Sequence, residues 1–181
     1  MNLEDLYHLR WNQPHNINEH LPVLRTLSTE CEAVVEIGTR DAVSTTGLLA
    51  GQPGSLTTWD IEPSPAAEAL REHAGRTIYD VRQGDSRYIK IGQCDLLFID
   101  SLHTREQLAI ELARHAPNAR RWILLHDTVT FGQTGEDGGQ GLLVAVWEFL
   151  RDFPEWRQVA EWRNNNGLLL LRRHSRNGTA L

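Results

Sequence analysis

The sequence predicts an α/β domain: a mainly parallel seven-stranded sheet with helices on both faces and an antiparallel hairpin at its C-terminal edge. Three observations lead there. Short apolar runs alternate five times with segments of helical period. Each of those five runs ends in or beside an acid and a turn. The last two runs flank Asn164-Asn165-Asn166-Gly167, a turn suited to a hairpin.

Residues 1–18 read as a polar and aromatic N-terminal extension that packs on the domain or near its site; residues 19–174 form the domain, and 175–181 a tail. A helix is expected over Glu19–Thr29, where Leu21, Val23, Leu24 and Leu27 recur at helical spacing and Pro22 is tolerable in the first turn. Strand one is Ala33–Ile37. The next helix, Ser44–Ala50, stops at Gly51, and Pro53-Gly54 turns the chain. Strand two is Ser55–Asp60. Ser64-Pro65 opens a helix to about Ala74. Thr77–Val81 is strand three, followed by a short helix or turn reaching Ile91. Asp95–Ile99, apolar after its first residue, reads as a strand buried on both faces. An amphipathic helix, Thr104–His115, precedes strand five at Arg121–Leu125. A glycine-rich loop, Thr130–Gln140, has the length of a lid. The helix Gly141–Phe153 then leads to strands Gln158–Trp162 and Leu168–Arg172.

Composition narrows the function. Hydrophobic residues at 40% and charged residues at 23% suit a soluble globular chain. A net charge of -6 argues against a nucleic-acid backbone as partner. Cys31 and Cys94 each lead into an apolar run, which predicts buried free thiols. The acidic start lacks a signal core, and no apolar run approaches the ~20 residues of a membrane span. A cytoplasmic protein with no membrane partner is expected. His8, His15 and His20 lack a partner motif and read as surface residues; Trp11 is the aromatic to test for a role at the site.

In open parallel sheets, ligands sit beyond the carboxyl ends of the strands. The residues there are Glu36, Gly38 and Thr39 after strand one, Asp60 and Glu62 after strand two, Asp85 and Ser86 after strand three. Asp100, Ser101 and His103 follow strand four, and His126 and Asp127 follow strand five. Such a rim of carboxylates needs donors or a cation to offset it. Asp60 has two oxygens for the two hydroxyls of a ribose, and Asp85 with the Ser86 backbone can read an adenine. The turn Gly38-Thr39-Arg40-Asp41-Ala42 has neither the glycine spacing of a pyrophosphate cradle nor a P-loop lysine. The pattern fits an adenosine without phosphates. Plain helix caps and turn formers are the lesser alternative for Glu36, Asp60, Asp100 and Asp127.

Glu36-Ile37-Gly38-Thr39-Arg40-Asp41-Ala42 resembles the first motif of class I S-adenosylmethionine-dependent methyltransferases, E/D-x-G-x-G-x-G, with Arg40 and Ala42 standing at the later glycines. Phe98-Ile99-Asp100-Ser101-Leu102-His103-Thr104 and Leu124-Leu125-His126-Asp127-Thr128 resemble the branch that includes macrolide-sugar and cephalosporin-biosynthesis O-methyltransferases. The resemblance spans roughly residues 19–173. It implies a Rossmann-like sheet, S-adenosylmethionine as cofactor and methyl transfer to a hydroxyl of a small molecule or glycan. It places Glu36, Gly38, Thr39 and Ser44 at the amino-acid end of the cofactor, Asp60 on the ribose and Asp85 with Ser86 at the adenine. Asp100 is implied as a cofactor contact and a catalytic group, and His103 as the general base. The resemblance also implies Mg2+ or another divalent cation on Asp100 and Asp127, with His126 where that branch carries an acid. A non-catalytic binding module on the same fold and a NAD- or nucleotide-binding protein are the alternatives. The acceptor pocket is expected from residues 1–20, the 130–141 loop or a partner subunit of a homo-oligomer.

Overall fold

The computed structural model describes residues 1–174; the expected tail, 175–181, lies outside them. The seven strands are β1 Ala33–Ile37, β2 Ser55–Asp60, β3 Ile78–Gln83, β4 Cys94–Ile99, β5 Ala119–His126, β6 Trp156–Trp162 and β7 Leu168–Arg173. The helices are α1 Leu3–Asn12, α2 Leu21–Thr29, α3 Val43–Ala50, α4 Pro65–Ala69, α5 Arg105–His115 and α6 Leu142–Asp152. The sheet order is β3-β2-β1-β4-β5-β7-β6. The first five strands are parallel; β7 runs antiparallel to both β5 and β6. The predicted hairpin is thus present, with its second strand on the inside. Among the described residues no helix is long and apolar enough to cross a membrane.

Alternation along the central strands sets two cores, because successive side chains in a strand point to opposite faces. Val34, Leu96, Phe98 and Leu124 pack with Leu21, Leu24, Leu48 and Leu49 of α2 and α3. Val35, Ile37, Leu97, Ile99, Ile123 and Leu125 pack with Leu108, Leu112, Val146 and Phe149 of α5 and α6. Burial on both faces is why β4 reads as an unbroken apolar run. Each fully buried Leu, Ile or Phe adds roughly 1.5–3 kcal/mol relative to exposure. Cys31 and Cys94 are buried and free, as expected.

Residues 1–18 were expected as a polar and aromatic extension packing on the domain or near its site; the helix α1 within them was not foreseen. Asn2 Oδ1 caps it by accepting from Asp5 N at 2.8 Å, and Glu4 and Asp5 sit in the first turn, where the helix dipole favours acids. Leu3, Leu6, Tyr7 and Arg10 share one face by their spacing. Tyr7 is buried in the core, and Arg10 Nη1 donates to Ala42 O and, at 2.7 Å, to Thr46 Oγ1. Alternating polar residues hide this stripe in the sequence. His20 also departs from expectation. It is 1% exposed, bonded to Asn164 O at 3.1 Å and set edge-on to His126.

The chain reverses direction across the sheet between β1 and β4, so the two strand ends lie side by side at a topological switch point. Asp100 N donates to Ile37 O at 2.8 Å, and Gly38 has φ +90°. A Cβ on Gly38 would lie 1.9 Å from Asp100 O. Gly38→Ala should therefore lower the unfolding free energy by about 3 kcal/mol or leave no folded protein, read by urea denaturation. A variant of wild-type stability would contradict this account of the turn.

Candidate active site

The turn after β1 is organised by Asp60. Its Oδ2 accepts from Thr39 N at 2.8 Å and Arg40 N at 2.9 Å, and its Oδ1 from Glu62 N at 3.0 Å. The two backbone donors that would otherwise face an anion are thereby spent on an acid of the chain itself. Arg40 (φ +43°) and Ala42 (φ +56°) stand in the left-handed region that glycines at these positions would occupy freely. The turn keeps the backbone shape of the glycine motif without its glycines.

Glu36 is fully buried and accepts from Ser44 Oγ at 2.6 Å and from Thr45 Oγ1 and Thr58 Oγ1 at 2.7 Å each. Burial raises its pKa to about 7, although the three hydroxyls pull the other way. Ser44 is spent on this carboxylate, and Thr39 Oγ1 shares a hydrogen bond with Thr58 Oγ1. Glu36, Thr39 and Ser44 therefore brace the turn from beneath.

A cavity of about 440 Å³ opens at the switch point. Gly38, Asp60, Asp85 and Ser86 line one side, Asp100, Ser101 and His103 another, and Glu136 the rim. Predicted residues from four of the five strand ends, Gly38, Asp60, Asp85, Ser86, Asp100, Ser101 and His103, thus line one hollow, whereas Glu36, Thr39, Ser44, Glu62, His126 and Asp127 are not in its lining. Asp85 is held by Arg87, with 2.6 Å between Oδ2 and Nη2, and this guanidinium keeps its carboxyl below the usual range. Trp11 is absent from the lining and lies half-exposed on α1.

At the β4 and β5 ends lies a cluster of two carboxylates and two imidazoles. His103 Nε2 is 2.8 Å from Asp127 Oδ2 and 3.4 Å from Asp100 Oδ1, and its Nδ1 is 3.1 Å from Glu136 Oε2. Phe131 stacks on the ring at 4.7 Å. His126 Nδ1 is 3.2 Å from Asp100 Oδ1 and 3.3 Å from Asp127 Oδ2, and its Nε2 is 3.1 Å from Asn165 O. Burial alone would lower both histidines, but Asp100 and Asp127 outweigh it and raise each to about 10. Burial likewise pushes Asp100 and Asp127 up, and the two imidazoles reverse that and hold both below the usual range. Asp127 has φ +58°, a strained conformation of the kind that collects at working sites.

The sequence reading did not single out Glu136, Phe131, Asn165, Arg87 or the pair Gln107 and Glu111. Glu111 had a signal: an acid between Leu108 and Leu112 on the apolar stripe of α5. Asn165 was visible only as a turn residue. The 130–140 loop is pinned by a Thr134–Gln140 bridge and by Glu136 N donating to His103 O at 3.1 Å.

For a metal, Asp100, His103 and Asp127 bring three ligand atoms within 4.8 Å of one another. Asp127 Oδ1 is buried without a hydrogen-bond partner, a free ligand atom. Mg2+ takes oxygen ligands, whereas this set mixes carboxylate with imidazole, so it suits Mn2+ or Zn2+ better.

The raised histidine pKa values set a stability window. Unfolded imidazoles release their proton near ~6.5, and the folded ones hold it to about 10. Folding therefore retains protons across this range, and stability, fully present below ~6.5, falls as pH rises through it. The urea midpoint should drop between about pH 6 and about pH 9.5, and His126→Gln should flatten the drop. A midpoint constant across that range in the wild-type protein would contradict the cluster's charge state.

No protein-family model matches the chain, and no curated relative does. Solved structures do match. The O-methyltransferase of Bacillus cereus in complex with S-adenosylhomocysteine has 18% identity and a TM-score of 0.68, covering 94% of this chain and 90% of that one. The S-adenosylhomocysteine-bound methyltransferase PaMTH1 of Podospora anserina has 15% identity and a TM-score of 0.67, covering 96% and 88%. The N-methyltransferase NodS of Bradyrhizobium japonicum, bound to the same molecule, has 14% identity and a TM-score of 0.66, covering 97% and 100%. The strand order, the switch-point cavity and these likenesses together show that the chain has the class I S-adenosylmethionine-dependent methyltransferase fold.

Proposed function

We propose that the protein is an S-adenosylmethionine-dependent O-methyltransferase acting on a hydroxyl of a small molecule, with a sugar-like acceptor as the favoured class. The observation that carries this reading is the single cavity that joins the β1 turn, Asp60 and the Asp85-Ser86 corner to Asp100 and His103. One end has the residues for an adenosine and its amino-acid tail, and the other has acid–base groups where an acceptor would lie. Asp60's hold on the Thr39 and Arg40 amides counts against a pyrophosphate ligand, and so against the NAD reading. The named activities of the structural neighbours, O- and N-methyl transfer, agree with the reaction class.

The chain's own residues have three tasks. The turn from Gly38 to Ser44 seats the amino-acid end of the cofactor. The cavity aligns the acceptor oxygen with the sulfonium methyl, and such positioning supplies ~7–11 kcal/mol in favourable cases. The oxygen bonds to the methyl carbon, the carbon–sulfur bond breaks onto sulfur, and the hydroxyl proton must leave. His103 Nε2 takes it once the proton held there by Asp127 and Asp100 has gone, so turnover should rise with pH. Asp100 and Asp127 would hold a divalent cation, which supplies Lewis acidity that lowers the pKa of a coordinated hydroxyl.

Titration calorimetry with S-adenosylmethionine and S-adenosylhomocysteine tests the reading directly; absence of binding by either removes it. His103→Ala should lower methyl transfer by about 10²–10⁴-fold and leave S-adenosylhomocysteine affinity within a few-fold. Unchanged turnover in that variant would remove His103 as the base. Chelation should lower activity, and return of Mn2+, Zn2+ or Mg2+ should restore it.

A further inference from the structure

Behind the adenine side of the cavity, one buried carboxylate oxygen gathers three side chains of the wall. Glu111 on α5 is 0% exposed. Its Oε1 accepts from Ser86 Oγ at 2.6 Å, Ser101 Oγ at 2.6 Å and Gln107 Nε2 at 2.8 Å. Gln107 Nε2 also donates to Ser86 Oγ at 2.7 Å. An amide nitrogen has two hydrogens, and both are now spent. Ser86, Ser101 and Gln107 all line the cavity, whereas Glu111 lies behind them. His115 Nε2, 2.8 Å from Ser86 O, fixes the same corner from the next turn of α5.

This arrangement decides which way the Gln107 amide faces. An Nε2 locked onto Glu111 and Ser86 leaves Oε1 as the free end of the amide, and among the described residues nothing donates to it. Oε1 is a pure acceptor. Asp85, the other acceptor at this corner, is occupied by Arg87 through both carboxylate oxygens. Both serine hydroxyls are directed at Glu111. Among the described residues at this corner, Gln107 Oε1 is therefore the cavity-lining side-chain oxygen without a hydrogen-bond partner, and no side-chain hydroxyl is left to donate.

Resting on the cofactor reading above, we propose that Gln107 is the residue that reads the base: its Oε1 accepts from the exocyclic amino group of adenine, and Glu111 is the positioning residue that fixes the amide for this. The match selects a 6-amino purine. A 6-oxo purine would set a carbonyl against a carbonyl, and sites built to hydrogen-bond a group discriminate strongly against an analogue lacking it.

The probes are S-adenosylhomocysteine and its deaminated counterpart, S-inosylhomocysteine, titrated calorimetrically into the full-length protein. Wild type should prefer the adenine compound by about tenfold or more. Gln107→Leu, close in size, should abolish the preference by weakening the adenine compound. Glu111→Gln, which changes shape little, should reduce the preference in the same direction. A merely structural defect would weaken both compounds alike and leave their ratio unchanged. If Glu111→Gln fails to fold, Gln107→Leu decides alone. Retention of the wild-type ratio in Gln107→Leu overturns the role of Gln107, as does equal affinity in the wild type. Binding of neither compound by wild type overturns the methyltransferase reading, and this one with it.

Discussion

The structure turns on how closely the ends of β1 and β4 approach each other. Gly38 and the Asp100 carbonyl leave no room for a side chain, and that contact brings the turn after β1 up against the Asp100, His103 and Asp127 cluster. Either strand end alone would be an ordinary acid-capped edge. Held together at the point where the sheet changes direction, they make one hollow with two chemically different ends. Asp60 completes the geometry by accepting from the Thr39 and Arg40 amides, donors that a phosphate would otherwise need.

The cluster at the far end is balanced by partners inside the chain. Two carboxylates this deeply placed would repel each other, and two imidazoles answer them. The same pairing keeps His103 protonated in the resting protein and makes the loop acid Glu136 part of its environment. A glycine-rich loop that looks in sequence like a free lid is instead fastened to the residue it covers.

Sheet class, strand positions and the rim acids were legible because each strand announces itself by an apolar run and ends in a polar turn. The order of β6 and β7 and the exact strand ends were not, since they depend on pairing between distant segments. β5, for example, starts at Ala119 and ends at His126 because β4 and β7 pair it along that length. The roles of the site residues were less legible than their positions. Glu36, Thr39 and Ser44 point to a cofactor by motif, yet the side chains of Glu36 and Ser44 are spent on each other and that of Thr39 on Thr58. Glu111 and Asn165 act through bonds to segments far away in the chain, and no local pattern carries that information. Helix α1 was missed for a related reason: its apolar stripe is short and gains meaning only against α3.

Asn165 ties the two ends of the molecule together. Its side-chain amide donates to His15 O and its Oδ1 accepts from Glu19 N, while its backbone carbonyl holds His126. The strand that follows it, β7, pairs β5 from Trp122 to His126. During synthesis, then, a nascent chain that has not yet extruded residues 164–173 already carries Asp100, His103, His126 and Asp127 but not the segment that braces them. The β5 edge is unpaired, His126 lacks its anchor and the N-terminal segment has nothing to close on. The order of translation thus delivers the supports of the Asp100–Asp127 cluster after the cluster itself.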